Sequence, residues 1–164
     1  MGKETEHKYI VISDSFKDMA ESSSRLAQGY LSREPDRTVR VRIKDDKGFL
    51  TVKGRTYGDS RLEFEYEVPV EDAHEMLGLC EGPVVEKIRY YVPFGGFTWE
   101  VDEFEGQLAG ITVAEIELPE SGTEYERPDF VGREVTNDPR WFNSQLHKHV
   151  EELKQIRRQT LSQH

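Results

Sequence analysis

Hydrophobic and polar residues alternate at every second position through most of the chain. The pattern is cleanest at residues 61–68, where Leu62, Phe64, Tyr66 and Val68 oppose Arg61, Glu63, Glu65 and Glu67. Side chains on a strand point to opposite faces in turn, so this is a strand with one apolar and one charged face. The same reading gives a first strand over 3–12, with Glu4, Glu6 and Lys8 on one face and Thr5, His7 and Tyr9 on the other. A second strand is expected over 25–31. A third sets Val39, Val41 and Ile43 against Arg40, Arg42 and Lys44, and a hairpin at 45–48 returns through a fourth at 49–55, with Lys53 and Arg55 facing away from Leu50 and Val52. Strand six, over 84–92, opposes Lys87 and Arg89 to Ile88, Tyr90 and Val92. Strand seven, Phe97–Phe104, opposes Trp99 and Val101 to Glu100 and Asp102. Strand eight, over 111–118, opposes Ala114, Ile116 and Leu118 to Glu115 and Glu117.

Helical spacing is rarer. Residues 13–19 read as a loop opening a short helix, with Ser13 or Asp14 able to cap it. Ala73, Met76, Leu77 and Cys80 make an apolar stripe on a helix at 71–80, which should cover part of the outside of the sheet. After a loop at 121–129, Thr136-Asn137-Asp138-Pro139 is a start signal for a final helix over 139–160, with Trp141, Phe142, Leu146, Val150, Leu153 and Ile156 near one stripe and Arg157 and Arg158 frayed. The expected fold is mainly β (α+β): an eight-stranded antiparallel closed barrel with short helices outside and a C-terminal helix. It forms one domain over 1–164, with the barrel at about 2–119 and the helical segment at about 120–160.

Charge then changes the picture. Closure with the charged faces inward puts Lys8, Arg40, Arg42, Lys53, Arg55, Arg61, Lys87 and Arg89 in the lumen with Glu4, Glu6, Glu63, Glu65, Glu67, Glu100, Asp102, Glu115 and Glu117. Ions left dry and unpaired would cost several kcal/mol each, so the lumen must be wet, paired or filled by charged ligands, which implies an open tunnel. Its cations suit phosphate oxygens, and its carboxylates suit Mg²⁺ or Mn²⁺. Glu4 and Glu6 become neighbours of Glu115 and Glu117 on closure, a candidate metal site.

The chain has 164 residues, 35% of them hydrophobic, and a net charge of −10 from 22 basic and 32 acidic residues. That excess of acid argues against a nucleic acid as the main partner. No apolar run is long enough to span a membrane, and Glu86 and Glu103 on the outer face argue against an outer-membrane barrel. The N-terminus shows no secretory run, and Glu6 stands where a myristoylation motif wants Ser or Thr. With Cys80 as the single cysteine, the expected compartment is the cytoplasm. Cys80 itself reads as a buried small hydrophobe. The five histidines show no shared metal spacing and read as surface or helix residues, and no glycine-rich phosphate loop is present.

The series Glu4-Thr5-Glu6-His7-Lys8, Gln28-Gly29-Tyr30-Leu31, Val39-Arg40-Val41-Arg42, Leu50-Thr51-Val52-Lys53-Gly54, Glu63-Phe64-Glu65, Val85-Glu86-Lys87-Ile88-Arg89-Tyr90, Glu100-Val101-Asp102, Ala114-Glu115-Ile116-Glu117 and Glu134-Val135-Thr136-Asn137-Asp138 resembles, in order, the CYTH superfamily of triphosphate tunnel metalloenzymes. The pentapeptide is weak alone, and the ordered series is strong. The resemblance implies a tunnel that binds a linear triphosphate with Mg²⁺ or Mn²⁺. Glu4, Glu6, Glu115, Glu117 and Asp102 would hold metal, and Lys8, Arg40, Arg42, Lys53, Lys87 and Arg89 would hold phosphates. Catalytic roles fall to Glu63, Glu65 and Lys87, with a second metal or the attacking water left open for the two acids. The short form with a C-terminal helix is most similar to small bacterial inorganic triphosphatases, acting on a small-molecule polyphosphate as a monomer or homodimer. Trp141 departs from the tyrosine expected there. An adenylate cyclase, a thiamine, nucleoside or RNA triphosphatase, and a non-catalytic polyphosphate-binding module are the alternatives.

Overall fold

A computed structural model describes residues 2–163. Nine strands run in the order β1 (Lys3–Val11), β2 (Ser22–Ser32), β3 (Arg37–Lys44), β4 (Lys47–Gly54), β5 (Ser60–Val68), β6 (Glu81–Phe94), β7 (Phe97–Phe104), β8 (Thr112–Glu117) and β9 (Val131–Glu134). The helices are α1 (Phe16–Met19), α2 (Val70–Leu77) and α3 (Val150–Ser162). The lateral order β5-β4-β3-β2-β6-β7-β8-β1 is antiparallel and closes through a β1–β5 pairing, giving the expected eight-stranded barrel. The short β9 is an addition on β1, built from a segment expected only to lead toward the last helix.

Closure is uneven. β1 pairs with β8 from Glu6 to Ile10, but with β5 only at Lys3, Glu4 and Thr5. Beyond Thr5 that edge of β1 meets the Asp59 carbonyl and then β9, with the Lys8 carbonyl accepting from the Val135 amide. The C-terminal segment therefore finishes a seam that β5 leaves open, as the backbone of a buried strand edge requires.

Apolar packing lies mostly outside the barrel, as the alternation demands. Tyr9, Trp99, Val101, Ala114 and Ile116 pack under Phe16 of α1 and under Phe130 and Val131. Ala73 of α2 sits on Val41 and Ile43, close over Gly48, where an added Cβ would come within 2.7 Å of the Ala73 Cβ. A third cluster is of a different kind. Ile10, Val85, Phe104 and Val113 continue the inward faces of charged strands, and Leu108, Ile111, Trp141, Leu146, Leu153 and Ile156 pack onto them. One end of the lumen is thus filled with hydrocarbon, so the tunnel expected to be open is blind at that end.

The final helix differs from the sequence reading. Two 3₁₀ turns, Pro139–Trp141 and Leu146–Lys148, precede α3, which begins only at Val150. Carbonyls that a continuous helix would keep are used elsewhere: Lys8 Nζ donates to the Trp141 carbonyl (2.9 Å) and Arg33 Nη1 to that of Ser144 (2.6 Å). Arg157 is fastened rather than frayed, donating to the carbonyls of Val11 and Gly110. At α1 the N-cap is Ser15, whose side chain makes no cap bond, while Ser13 Oγ accepts from the Ser15 amide at 3.1 Å.

Candidate functional site

The inward faces of β1, β3, β4, β5, β6 and β8 enclose a polar cavity of about 200 Å³. Its walls include Glu4, Glu6, Lys8, Arg40, Arg42, Lys53, Glu63, Glu65, Arg89, Glu115 and Glu117, so eleven of the thirteen residues expected to form the site converge. The other two, Lys87 and Asp102, stand behind that wall and are 0% and 1% exposed. Asp102 accepts from Lys87 Nζ at 2.5 Å and from Arg89 Nε and Nη2 at 2.8 and 2.9 Å, so both its oxygens are already used. Arg55, expected in the lumen, follows the last residue of β4 and pairs outside with Asp36. Glu67 is exposed and does not line the cavity.

The charges are sorted by wall. Arg40 and Arg42 on β3 and Arg89 on β6 form a cationic side. Arg42 is held by Gln28, whose Oε1 accepts from Nε (2.9 Å) and Nη2 (2.7 Å). Among the described residues no carboxylate pairs with Arg42. Burial, with Arg40 and Arg89 nearby, lowers the pKa of that guanidinium to about 9. Arg40 donates to Thr51, and its Nε is buried without a partner.

The acidic side is built by β1, β5 and β8, where the register sets Glu6 opposite Glu117 and Lys8 opposite Glu115. Burial and the neighbouring Glu115 and Glu4 push the Glu6 carboxyl well above the usual range. Burial and then Glu4 push Glu63 up to about 7, and Glu117 rises from burial and from Glu4 and Glu100. Burial works the same way on Glu4 and Glu115, but Lys53 at 3.2 Å and Lys8 at 3.5 Å hold those two below the ordinary carboxylate value. Burial also opposes the charge on Asp102, yet Arg89 and Lys87 hold its pKa far down. Burial, with Arg89 and Arg42, lowers Lys87 to about 7.

These donors suit a hard divalent cation. They are all carboxylate oxygens, crowded enough that Glu6, Glu63 and Glu117 hold protons more tightly than a free carboxylate, and Glu115 Oε1 is buried with no hydrogen-bond partner. No group of three among the described residues is already drawn in to ligand distance, because Lys8 and Lys53 engage Glu115, Glu4 and Glu63 instead.

Several lining residues were not assigned a role from the sequence. Tyr30 enters the cavity two residues beyond Gln28 and opposite Arg40, on the inward face of a strand whose faces carry no charged alternation to mark them. Thr136, Asn137, Phe142, Asn143 and Ser144 come from the segment read as loop and helix. His7, read as a surface or helix residue, is bonded on the outside of β1 to Asp59 (2.9 Å) and Tyr125 (2.6 Å), clasping the seam.

The shifts fix a pH profile for the metal-free protein. Glu6, Glu63 and Glu117 bind protons more tightly folded than unfolded; for Glu63 the stability contributed is fully present below about 4.5 and is lost as pH rises through about 7, and Glu6 and Glu117 act in the same direction. Lys87 acts in the opposite sense. Above about 7 it is neutral in the fold and charged in the unfolded chain, so stability recovers as pH climbs further. The melting temperature in chelator is expected to pass through a minimum near pH 7, and Glu63→Gln should make the descent into it shallower. Thermal scans from pH 5 to pH 9 check this, and a steady rise across that range would refute it.

A closed antiparallel barrel with a cationic wall facing a carboxylate wall defines an anion-binding tunnel protein with the means to hold a divalent cation. Residues 2–159 match the CYTH domain, and the chain belongs to that family. It is 54% identical over 149 residues to an inorganic triphosphatase of Acetivibrio thermocellus, covering 90% of this chain and 95% of that one. It is 32% identical over 147 residues to an inorganic triphosphatase of Nitrosomonas europaea, covering 87% and 95%. A solved structure of an inorganic triphosphatase superposes with a TM-score of 0.64 at 29% identity, covering 88% of this chain and 93% of that one. A Pyrococcus horikoshii protein shares the fold alone, with a TM-score of 0.59 at 17% identity over 97% of this chain and 90% of its own. No helix among the described residues is long and apolar enough to cross a membrane.

Proposed function

We propose that the chain is an inorganic triphosphatase, hydrolysing tripolyphosphate to pyrophosphate and phosphate. The observation that carries this reading is Arg42: a buried guanidinium with no carboxylate of its own, between Arg40 and Arg89 and across the lumen from crowded acids. Arg42 lacks an anion of its own, and a polyanion supplies one. A Mg²⁺ or Mn²⁺ ion held by Glu4, Glu6, Glu115 and Glu117 would neutralise phosphate oxygens. Arg40, Arg42 and Arg89 would bind the remaining oxygens through the guanidinium N–H groups that Thr51, Gln28 and Asp102 leave free, with Lys8 and Lys53 as point charges. Water attacks the terminal phosphorus in line. The new oxygen–phosphorus bond forms as the bridging bond to pyrophosphate breaks, and the water proton passes to a carboxylate.

Glu63, with a pKa of about 7, is matched to receive that proton, and Glu65 to orient the water. Lys87 supports the cationic wall from behind, and Asp102 is proposed as its anchor and that of Arg89 rather than as a metal ligand. The blind, apolar end favours a short linear substrate. One domain over the whole chain is proposed on the unbroken run of the barrel into its C-terminal seam, and the cytoplasm on the single free cysteine, Cys80.

Phosphate release and product identity, measured with tripolyphosphate, ATP, thiamine triphosphate and an RNA 5′-triphosphate, test the proposal. Tripolyphosphate should turn over fastest. Cyclic AMP as the main product from ATP would make the protein a cyclase, and tight tripolyphosphate binding without phosphate release with any divalent ion would make it a binding module. Within the site, Arg42→Ala is expected to weaken tripolyphosphate binding about tenfold or more, since a charged hydrogen bond is worth roughly 1.5–3 kcal/mol. Arg42→Lys should restore only part, because an ammonium lacks the fork. Substrate affinity and metal titration on both variants check this, and full recovery with lysine would show that charge alone matters there.

A further inference from the structure

Five of the cations that line the cavity already have a carboxylate: Lys8, Arg40, Lys53, Arg61 and Arg89 each lie 2.8–3.7 Å from one. Arg42 is the sixth, and among the described residues its side-chain partner is an amide, Gln28. The position of Gln28 makes that choice informative. β2 runs between β3, with Arg40 and Arg42, and β6, with Lys87 and Arg89, so its inward face meets cations on both sides. A carboxylate there would find a partner on either strand. The inward residues are instead Ser24, Leu26, Gln28 and Tyr30, with no charge among them. Gln28 is 0% exposed and stands directly opposite Arg42 in the β2–β3 register.

Gln28 grips Arg42 as a carboxylate would. Its Oε1 accepts from Nε at 2.9 Å and from Nη2 at 2.7 Å, along the inner edge of the guanidinium. Its Nε2 donates to the Tyr30 hydroxyl at 3.4 Å, which turns the amide oxygen toward the arginine. Nη1 has no protein partner among the described residues and is not sealed as an unpartnered buried atom, so it opens on the lumen. The contrast with Arg89 is one of charge. Asp102 takes the same edge of Arg89, Nε at 2.8 Å and Nη2 at 2.9 Å, and places a negative charge against it. For stability alone a glutamate at position 28 would do better, because a buried cation is held more firmly by an ionic partner than by a neutral acceptor. The amide forgoes that and leaves Arg42 with no anion in contact.

We propose that Gln28 is the positioning residue that reserves Arg42 for the substrate: it fixes the inner edge of the guanidinium and withholds the negative charge that would compete with a triphosphate. The inference rests on the triphosphatase reading above. A phosphate oxygen then meets a guanidinium that is already oriented, so little ordering is lost on binding, and no internal carboxylate has to be displaced. Gln28 acts through Arg42 and touches no reacting atom.

Gln28→Glu is the direct test, because it keeps the shape and the acceptor and adds only charge. It should raise KM for tripolyphosphate by about tenfold or more, the low end for a charged hydrogen bond. The kcat should stay within about twofold of the parent, since the lost interaction is made alike in the ground and transition states. In chelator and without substrate, the same variant should melt at or above the parent, because Arg42 gains an ionic partner. A merely structural residue would move stability and affinity together. Gln28→Met gives a second arm by removing the acceptor without adding charge. It should raise KM by about threefold or more in the parent and leave it unchanged in an Arg42→Ala background, where nothing remains to be positioned. An unchanged KM or a lowered melting temperature in Gln28→Glu overturns the proposal, as does a Gln28→Met effect that persists without Arg42. Turnover by the parent tests the triphosphatase reading separately. If the parent is inactive that reading falls, and tripolyphosphate affinity by calorimetry, with the substrate-free melts, still decides the role of Gln28.

Discussion

Glu6→Gln is expected to cost about 100-fold or more in turnover of tripolyphosphate while leaving the melting temperature in chelator equal to or above that of the parent. The activity loss follows from removing one oxygen donor with a formal charge from a metal centre that supplies several kcal/mol to the transition state. The stability result has a different origin. Glu6 lies opposite Glu117 and close to Glu4 and Glu115, and its carboxyl is held well above the ordinary range by burial and by those acids. Without metal the fold disfavours its ionised form, which the unfolded chain prefers near neutral pH, so an amide of the same shape relieves the fold. Glu117→Gln should behave alike, with a smaller effect on stability because its side chain is exposed. Turnover against metal concentration, with thermal melts in chelator, checks both arms. Near-full turnover at limiting metal in either variant would remove that residue from the proposed centre.

Asp102→Asn is expected to have the largest effect on stability of any single substitution in the site. Asp102 is 1% exposed, and its two oxygens serve Lys87 and both inner nitrogens of Arg89. An amide cannot accept from three cationic donors, and it leaves Lys87 and Arg89 buried beside Arg42 with only the part-exposed Glu100, 3.4 Å from Arg89 Nη1, as a carboxylate partner. Breaking a buried pair in this way costs about 3–5 kcal/mol, or on the order of 10 °C in melting temperature for a chain of this length. Tripolyphosphate should recover much of the loss, because it returns negative charge to the same wall. Metal affinity measured without substrate separates the roles: a stable variant with weakened metal binding would restore Asp102 to the metal ligands.

How much of this was legible in the sequence follows from which forces act locally. Period-two alternation is a property of each strand alone, so β3, β5 and β7 and the inward set Arg40, Arg42, Lys53, Glu115 and Glu117 could be read directly, and Phe97–Phe104 was placed to the residue. The pairing of Glu6 with Glu117 followed from closure of eight such strands. Features that depend on distant partners were not legible. The apolar spacing of Trp141, Leu146, Val150, Leu153 and Ile156 reads as helix, yet side chains of Lys8 and Arg33 take carbonyls in its first half and break it into turns. Tyr30 needed its pairing opposite Arg40 to show which face of β2 looks inward, and the apolar end of the lumen needed Ile10, Val85, Phe104 and Val113 to be seen as one layer across four strands. Asp102 reads as a metal ligand by resemblance because sequence does not reveal that Lys87 and Arg89 close on it from the next strand.

The uneven seam also sets the order in which the barrel can assemble. β1 is the first strand synthesised, yet its long pairing is with β8, and the other edge is completed by β9 and Val135, so its full set of partners exists only when nearly the whole chain has been made. Three residue pairs to β5 are all it can form before that. The hairpins from β2 to β5 and from β6 to β8 are local and close first, and joining the two ends of the chain is the slow, high-contact-order step. The same strand carries Glu4, Glu6 and Lys8. The proposed metal site therefore comes into being last, and a chain truncated before β9 would hold most of its strands with its cationic wall built and its acidic wall incomplete.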